Sequence, residues 1–218
     1  KGIIDDRNLH KVPINASNIF KKRRHKPGLN TAVTFLIDLS YSMEGDCAEI
    51  SYNLLYTITK ALNSISVPTE IIGFNNGKHY LSYSTVETHS NIFVFKSFSD
   101  NFNSEKCKTN LSLLPGLVGG STPLPDSCIY AANRLLKRRE QRKLMFVLTD
   151  GFPNESISNM DIYAYTEKVI KAIADRGIEI TGIGINIDLS DFFIKNINIV
   201  NHSDILSEFY SEFRKSLL

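Results

Sequence analysis

Cysteine is scarce in this chain: three in 218 residues, odd in number and widely spaced, which argues against a disulfide framework and against a zinc site. Cys47, Cys107 and Cys128 read instead as free, inert, buried thiols of a reducing compartment, and the expected location is cytoplasmic. No apolar run is long enough to span a bilayer, and the first residues carry no signal-peptide pattern, so no membrane role is expected. Strong charge is absent as well. A net charge of +2 and an isoelectric point near 8.4 are too mild to demand a nucleic-acid partner. The phosphate-cradling loop G-x-x-x-x-G-K-S/T is missing, which argues against ATP hydrolysis by this chain, and no Ser-His-Asp arrangement is suggested. The chain opens on Lys1, not Met, as a piece of a longer or processed protein would.

What is present suffices for one well-buried core plus an appendage, with 42% apolar residues and no internal repeat. Residues 1–30 lack clean periodicity and hold the basic run Lys21 to Lys26, so they read as an N-terminal arm before a domain at 31–218. From Thr31 on, short β-branched or aromatic runs alternate with helix-period segments. Strands are expected at Thr31–Ile37, Glu70–Phe74, Lys78–Tyr83, Ile92–Phe98, Lys143–Thr149, Glu179–Ile185 and Ile197–Val200, with Asn75-Asn-Gly77 as a turn. Helices are expected at Cys47–Ile65, Ser104–Leu114, Pro123–Arg139 (Ile129, Ala132, Leu135 and Leu136 inward), Met160–Arg176, Leu189–Lys195 and Asp204–Leu218, and Gly116–Ser121 as a flexible loop. The alternation predicts an α/β fold: a doubly wound, mostly parallel central sheet flanked by helices, Rossmann-like, with an N-terminal arm.

Three loops then carry the chemistry. Asp38-Leu-Ser-Tyr-Ser42 follows the first buried strand directly, so a carboxylate and two hydroxyls hang off its end. Gly119-Gly-Ser-Thr-Pro123 offers the Thr122 hydroxyl behind glycines that permit close backbone approach. Leu148-Thr-Asp-Gly151 ends another core strand on Asp150. In open α/β sheets ligands bind beyond the carboxyl ends of the strands. Oxygen donors without His or Cys suit a hard divalent cation, Mg²⁺ or alternatively Mn²⁺ or Ca²⁺. Each loop alone is weak, because a strand can end in Asp-Gly and Ser can simply cap a helix. Together and in this order they are specific. Asp126 and Asp188 are expected at caps or at the rim.

The set D-x-S-x-S, G-G-S-T-P and T-D-G resembles the metal-ion-dependent adhesion site of the von Willebrand factor A (VWA) domain, over roughly Asn30 to Leu218. The resemblance implies Ser40, Ser42 and Thr122 as direct ligands, with Asp38 and Asp150 acting mainly through water. It also implies an open coordination position for an acidic side chain of a partner, with Tyr41 and Ser121 at the partner-binding rim. A narrower resemblance joins Arg138 to Gly151, Gly182 to Asp188 with Phe192-Phe193, and Gly2-Ile-Ile-Asp5 before Phe20 to the CobT-type subunit of aerobic cobaltochelatase. That likeness implies a non-catalytic subunit working with a ring-forming AAA+ ATPase of the CobS or MoxR type. Leu39 and Tyr41 depart from the Asn and Gly usual in that family's first loop.

Two rivals come from other classes. An aspartyl-phosphate phosphatase would also place Asp at the end of its first strand with Mg²⁺, but it needs a second acid two residues on, where Ser40 stands. A nucleic-acid binder would use Lys21–Lys26 and Lys137–Lys143, yet these lack interleaved aromatics. The reading favoured is a protein-interaction module without chemistry of its own.

Overall fold

The computed structural model describes residues 3–4, 20–21, 30–82, 85–154 and 161–199. In the arm, strands β1 (Ile3–Ile4) and β2 (Phe20–Lys21) pair antiparallel. The rest of the basic run, and the helix expected over 204–218, lie outside the described residues.

The core is a six-stranded sheet in the order β5-β4-β3-β6-β7-β8. Its strands are β3 (Thr31–Asp38), β4 (Thr69–Ser82), β5 (Thr85–Lys96), β6 (Arg142–Thr149), β7 (Ile178–Ile185) and β8 (Lys195–Ile199). Only β5 runs antiparallel to its neighbour. Helices α1 (Asp46–Ser64) and α2 (Glu105–Ser112) cover one face; α3 (Leu124–Leu136) and α4 (Ile162–Asp175) cover the other. Residues 190–192 form a turn, and β7 reaches β8 without a helix.

β3 sits at the centre because it is apolar towards both layers, as a covered parallel strand must be. Val33, Phe35 and Ile37 enter the α1 layer, Ala32 and Leu36 the α3 and α4 layer, and all eight of its residues are buried. Phe35 stacks on Phe146 of β6 at 5.5 Å. Each such side chain, fully buried, contributes roughly 1.5–3 kcal/mol. The β3–β6 register pairs Ile37 with Leu148, so both strands deliver their next residues, Asp38 and Thr149, to the same edge of the sheet.

Helix ends follow local chemistry. Ser104 caps α2 by accepting from the Cys107 amide, and Asp161 caps α4 by accepting from the Ala164 amide. Gly177, at φ +83°, ends α4. Beneath the sheet the carboxylate of Glu70 is fully buried and accepts from Arg134 Nε at 3.0 Å.

Four expectations need correction. Asn75-Asn-Gly77 is not a turn: β4 runs through it as one long arm of a hairpin with β5. The reason is side-chain pairing, since Asn91 Nδ2 donates to Asn75 Oδ1 at 3.0 Å and lets the ladder continue. Leu189–Lys195 is not a helix: the Leu189 carbonyl accepts from the Phe192 and Phe193 amides in a single turn, and the chain enters β8 at Lys195. In α3 Ala132 and Leu135 are inward as expected, joined by Leu124, Cys128 and Ala131, but Ile129 lies at the surface and Leu136 is half-buried. Gly116 belongs to a short 3₁₀ turn, Leu114–Leu117, that opens the second loop. The cysteines are free, with Cys107 and Cys128 buried and Cys47 half-buried, and burial pushes all three thiols up.

Candidate metal centre

The first loop folds back on itself because Asp38 Oδ1 accepts from the Ser40 amide at 2.8 Å, a local turn that short acidic side chains favour. Its other oxygen accepts from Thr149 Oγ1 at 2.6 Å, tying the first loop to the third. Thr149 Oγ1 also meets the Gly151 carbonyl at 3.0 Å and the Gly151 amide at 3.1 Å, which fixes the turn around Asp150. Asp38 is fully buried, and burial pushes its carboxyl up to about 6 even though the Thr149 and Ser40 hydrogen bonds pull it down. A carboxylate buried to this degree without a counter-charge is costly, and an adjacent cation would offset that cost.

The hydroxyls converge above this base. Ser40 Oγ lies 3.1 Å from Ser42 Oγ, and Ser42 Oγ donates to Asp150 Oδ1 at 2.7 Å. With the Ser42 proton committed to Asp150, the lone pairs of that oxygen remain for a cation. A methyl group placed on Gly151 would touch both Ser42 Oγ, at 3.7 Å, and Thr122 Oγ1, at 4.0 Å. Glycine at 151 therefore leaves a small cradle that the hydroxyls of two loops overlook. Ser40 and Thr122 are buried, whereas Ser42 is exposed and Asp150 half-buried, so the cradle opens to solvent on one side.

The second loop is laced to the first through its backbone. The Gly119 amide donates to the Leu39 carbonyl at 2.8 Å, and the Tyr41 amide to the Gly120 carbonyl at 3.1 Å. Gly120, at φ +76°, passes so close to Asn76 of β4 that a Cβ would stand 2.0 Å from the Asn76 carbonyl oxygen. Asn75 Nδ2 holds the Leu117 carbonyl at 3.0 Å. Asn154 clasps Thr122 from the third loop: its Oδ1 accepts from the Thr122 amide at 2.8 Å, and its amide donates to the Thr122 carbonyl at 3.4 Å.

All five expected ligand residues, Asp38, Ser40, Ser42, Thr122 and Asp150, thus stand on loops that touch one another. The donors are oxygens throughout, three hydroxyls and two carboxylates, a set that fits a hard divalent cation. Among the described residues no group of three His, Cys, Asp or Glu is placed to hold a metal elsewhere. Tyr41 is 70% exposed on the first loop and Ser121 is half-buried on the second. Asp126 lies in the first turn of α3, and Asp188 accepts from the Ser190 amide in the turn after β7, as expected of residues outside the cluster. Sequence reasoning passed over Thr149, Asn154 and Asn75. Thr149 was visible in the T-D-G motif; the two asparagines act only across the fold.

A family model of the von Willebrand factor type A domain matches residues 32–213. The chain belongs to the VWA family. VWA domains are general protein-interaction modules, and solved structures repeat the fold at low identity. The PilB minor pilin of Streptococcus sanguinis is 16% identical, with a TM-score of 0.66 over 91% of this chain and 64% of that one. The pilus adhesin SpaC of Lactobacillus rhamnosus GG, in its open conformation, is 14% identical, with a TM-score of 0.64 over 86% of this chain. Here the chain spans only 30% of the length of its relative. The VWA domain of SpRpn10 is 15% identical, with a TM-score of 0.57 over 82% of this chain and 94% of that one. At these identities the likeness is one of fold. No helix among the described residues is long and apolar enough to cross a membrane.

Proposed function

We propose that this VWA domain is a metal-dependent docking module. In this reading Ser40, Ser42 and Thr122 hold a Mg²⁺ ion, with Mn²⁺ or Ca²⁺ as alternatives, and Asp38 and Asp150 supply the anionic surround. When bound, the ion offers an electrophilic position to a carboxylate of a client protein. The observation that carries the reading is the convergence of the Ser42 and Thr122 hydroxyls on the Gly151 backbone, beside the Ser42–Asp150 hydrogen bond. Neutral hydroxyl ligands leave the cation under-neutralised, so it keeps its attraction for an incoming acid.

The resemblance to CobT-type subunits supports an AAA+ ATPase of the CobS or MoxR type as the motor that this module couples to its client. We assign it no catalysis of its own: Ser40 stands where phosphatase chemistry would need an acid. The basic stretch 137–143 also offers little to nucleic acid. Arg138 pairs with Glu140 at 2.7 Å, Arg142 with Glu179 at 2.5 Å, and Lys143 donates to the Glu140 carbonyl at 2.8 Å.

Titration calorimetry with MgCl₂, MnCl₂ and CaCl₂ tests the metal, using wild type and the Ser42→Ala and Asp150→Ala variants. Saturable one-to-one binding to wild type and none to either variant is expected. Equal heats for all three proteins would sink the metal reading. Capture of the ATPase in Mg²⁺ but not in EDTA is expected to follow the same pattern.

A further inference from the structure

Parallel neighbours β7 and β8 are joined by residues 186–194 alone, less than the roughly dozen residues and the helix that such a crossover usually takes. The segment still returns along the α4 layer, where Leu189, Phe192 and Phe193 enter the core beside Val169 and Ile173. With no helix in that connection, α4 packs chiefly on α3 and β7, and its Tyr163 meets Phe192 at 5.4 Å. A groove of about 580 Å³ lies along the open flank of α4. Ile170, Ile178 and Phe192 line its floor, and Ala174 and Ile194 its lips.

Two features give the groove a preference. Ile194 is 99% exposed, an unusual position for a large aliphatic side chain beside an apolar floor. The rim carries Glu167, Asp175 and Asp191, none of which forms an ion pair among the described residues, against the single unpaired cation Lys171. Lys195 is already engaged by Glu179 at 3.2 Å.

We propose that this groove receives an amphipathic helix of a partner protein, seated where a crossover helix would otherwise lie. Its apolar face packs on Ile194 and Ala174, and basic residues on its flank meet Glu167, Asp175 and Asp191. Anchors spaced at three and four residues are how such grooves read a helix. The groove's floor meets the third loop only through Phe192, which lies 6.2 Å from Phe152, and none of the five candidate metal ligands lines it.

The probe is a fluorescein-labelled Leu/Lys amphipathic peptide about four helical turns long, titrated in EDTA so that no metal contributes. A scrambled peptide of the same composition and a Leu/Glu analogue serve as controls. Fluorescence anisotropy is expected to show saturable binding of the amphipathic Lys peptide alone. Ile194→Asp, and separately the Glu167→Lys/Asp175→Lys/Asp191→Lys triple variant, are expected to weaken it about tenfold or more. All these side chains are exposed or at a rim, and circular dichroism checks that each variant is folded. Equal binding of the scrambled peptide, no saturable binding, or wild-type affinity in Ile194→Asp overturns the proposal.

Discussion

Replacing Gly120 by Ala probes how the second loop places Thr122. The new Cβ would stand 2.0 Å from the Asn76 carbonyl oxygen and 3.1 Å from its carbon, and both are backbone atoms that no rotamer change can move. A carbon and an oxygen keep about 3.3 Å, so the loop must retreat by roughly 1.3 Å. Retreat loosens the Gly119–Leu39 and Tyr41–Gly120 hydrogen bonds, at about 0.5–1.5 kcal/mol each. The backbone at φ +76° adds about 1–3 kcal/mol for any residue with a Cβ. The sum is about 2–6 kcal/mol. Gly45→Ala is the matched control: φ is +84°, yet nothing lies within 4 Å of its Cβ, so only the conformational part of about 1–3 kcal/mol is expected. Gly116→Ala meets nothing either and should be neutral or slightly stabilising, by up to about 1 kcal/mol. Urea unfolding of the three variants gives the stabilities, and calorimetry with Mg²⁺ gives the affinity. A Mg²⁺ site tolerates little error in its metal–oxygen distances of about 2.0–2.1 Å, so Gly120→Ala should also weaken binding at least about tenfold. If Gly120→Ala loses no more stability than Gly45→Ala and binds Mg²⁺ like wild type, contact with β4 does not position the loop.

Further expectations concern the clasp and the buried charges. Asn154→Ala removes the acceptor of the Thr122 amide and should weaken Mg²⁺ binding about tenfold at a stability cost of about 1–3 kcal/mol; calorimetry and unfolding that show neither effect would contradict the clasp. Arg134→Met strands the buried Glu70 carboxylate and should cost about 3–5 kcal/mol, whereas the Glu70→Met/Arg134→Met pair should recover most of it; a single variant as stable as wild type would refute this. Lys96 is buried with its ammonium donating to the Thr69 and Ser97 carbonyls, and burial lowers its pKa below the ordinary 10.5. Below the lowered value both folded and unfolded chains hold the proton. Between that value and 10.5 the folded chain has released it first, so stability rises with pH across this window. Alkaline unfolding curves should therefore show wild type gaining on Lys96→Met, and parallel curves would refute the assignment.

The candidate ligands were legible because each sits in a short motif at the end of an apolar run. Asp38 follows Ile37 and Asp150 follows Thr149, so the strand pattern alone puts both at the carboxyl edge of a sheet. The residues that hold those ligands in place were harder to read. Asn154 and Asn75 belong to no motif, and their partners Thr122 and Leu117 are distant in the chain. The missed β4–β5 hairpin has the same origin. Asn-Asn-Gly is a strong local turn signal, and the cross-strand ladder to β5, with the Asn75–Asn91 side-chain bond, overrides it.

By itself, then, the sequence determined the helix-flanked α/β sheet, the buried first strand and the three oxygen-bearing loops. These depend on period and composition along a single stretch, which local sterics and burial decide. The tertiary structure alone decided that the loops meet. It did so through the β3–β6 register that sets Thr149 beside Asp38, the Gly120–Asn76 approach, and the groove left where β7 reaches β8 without a helix. Each of these is a contact between segments far apart in the chain, and its geometry exists only once the sheet has assembled.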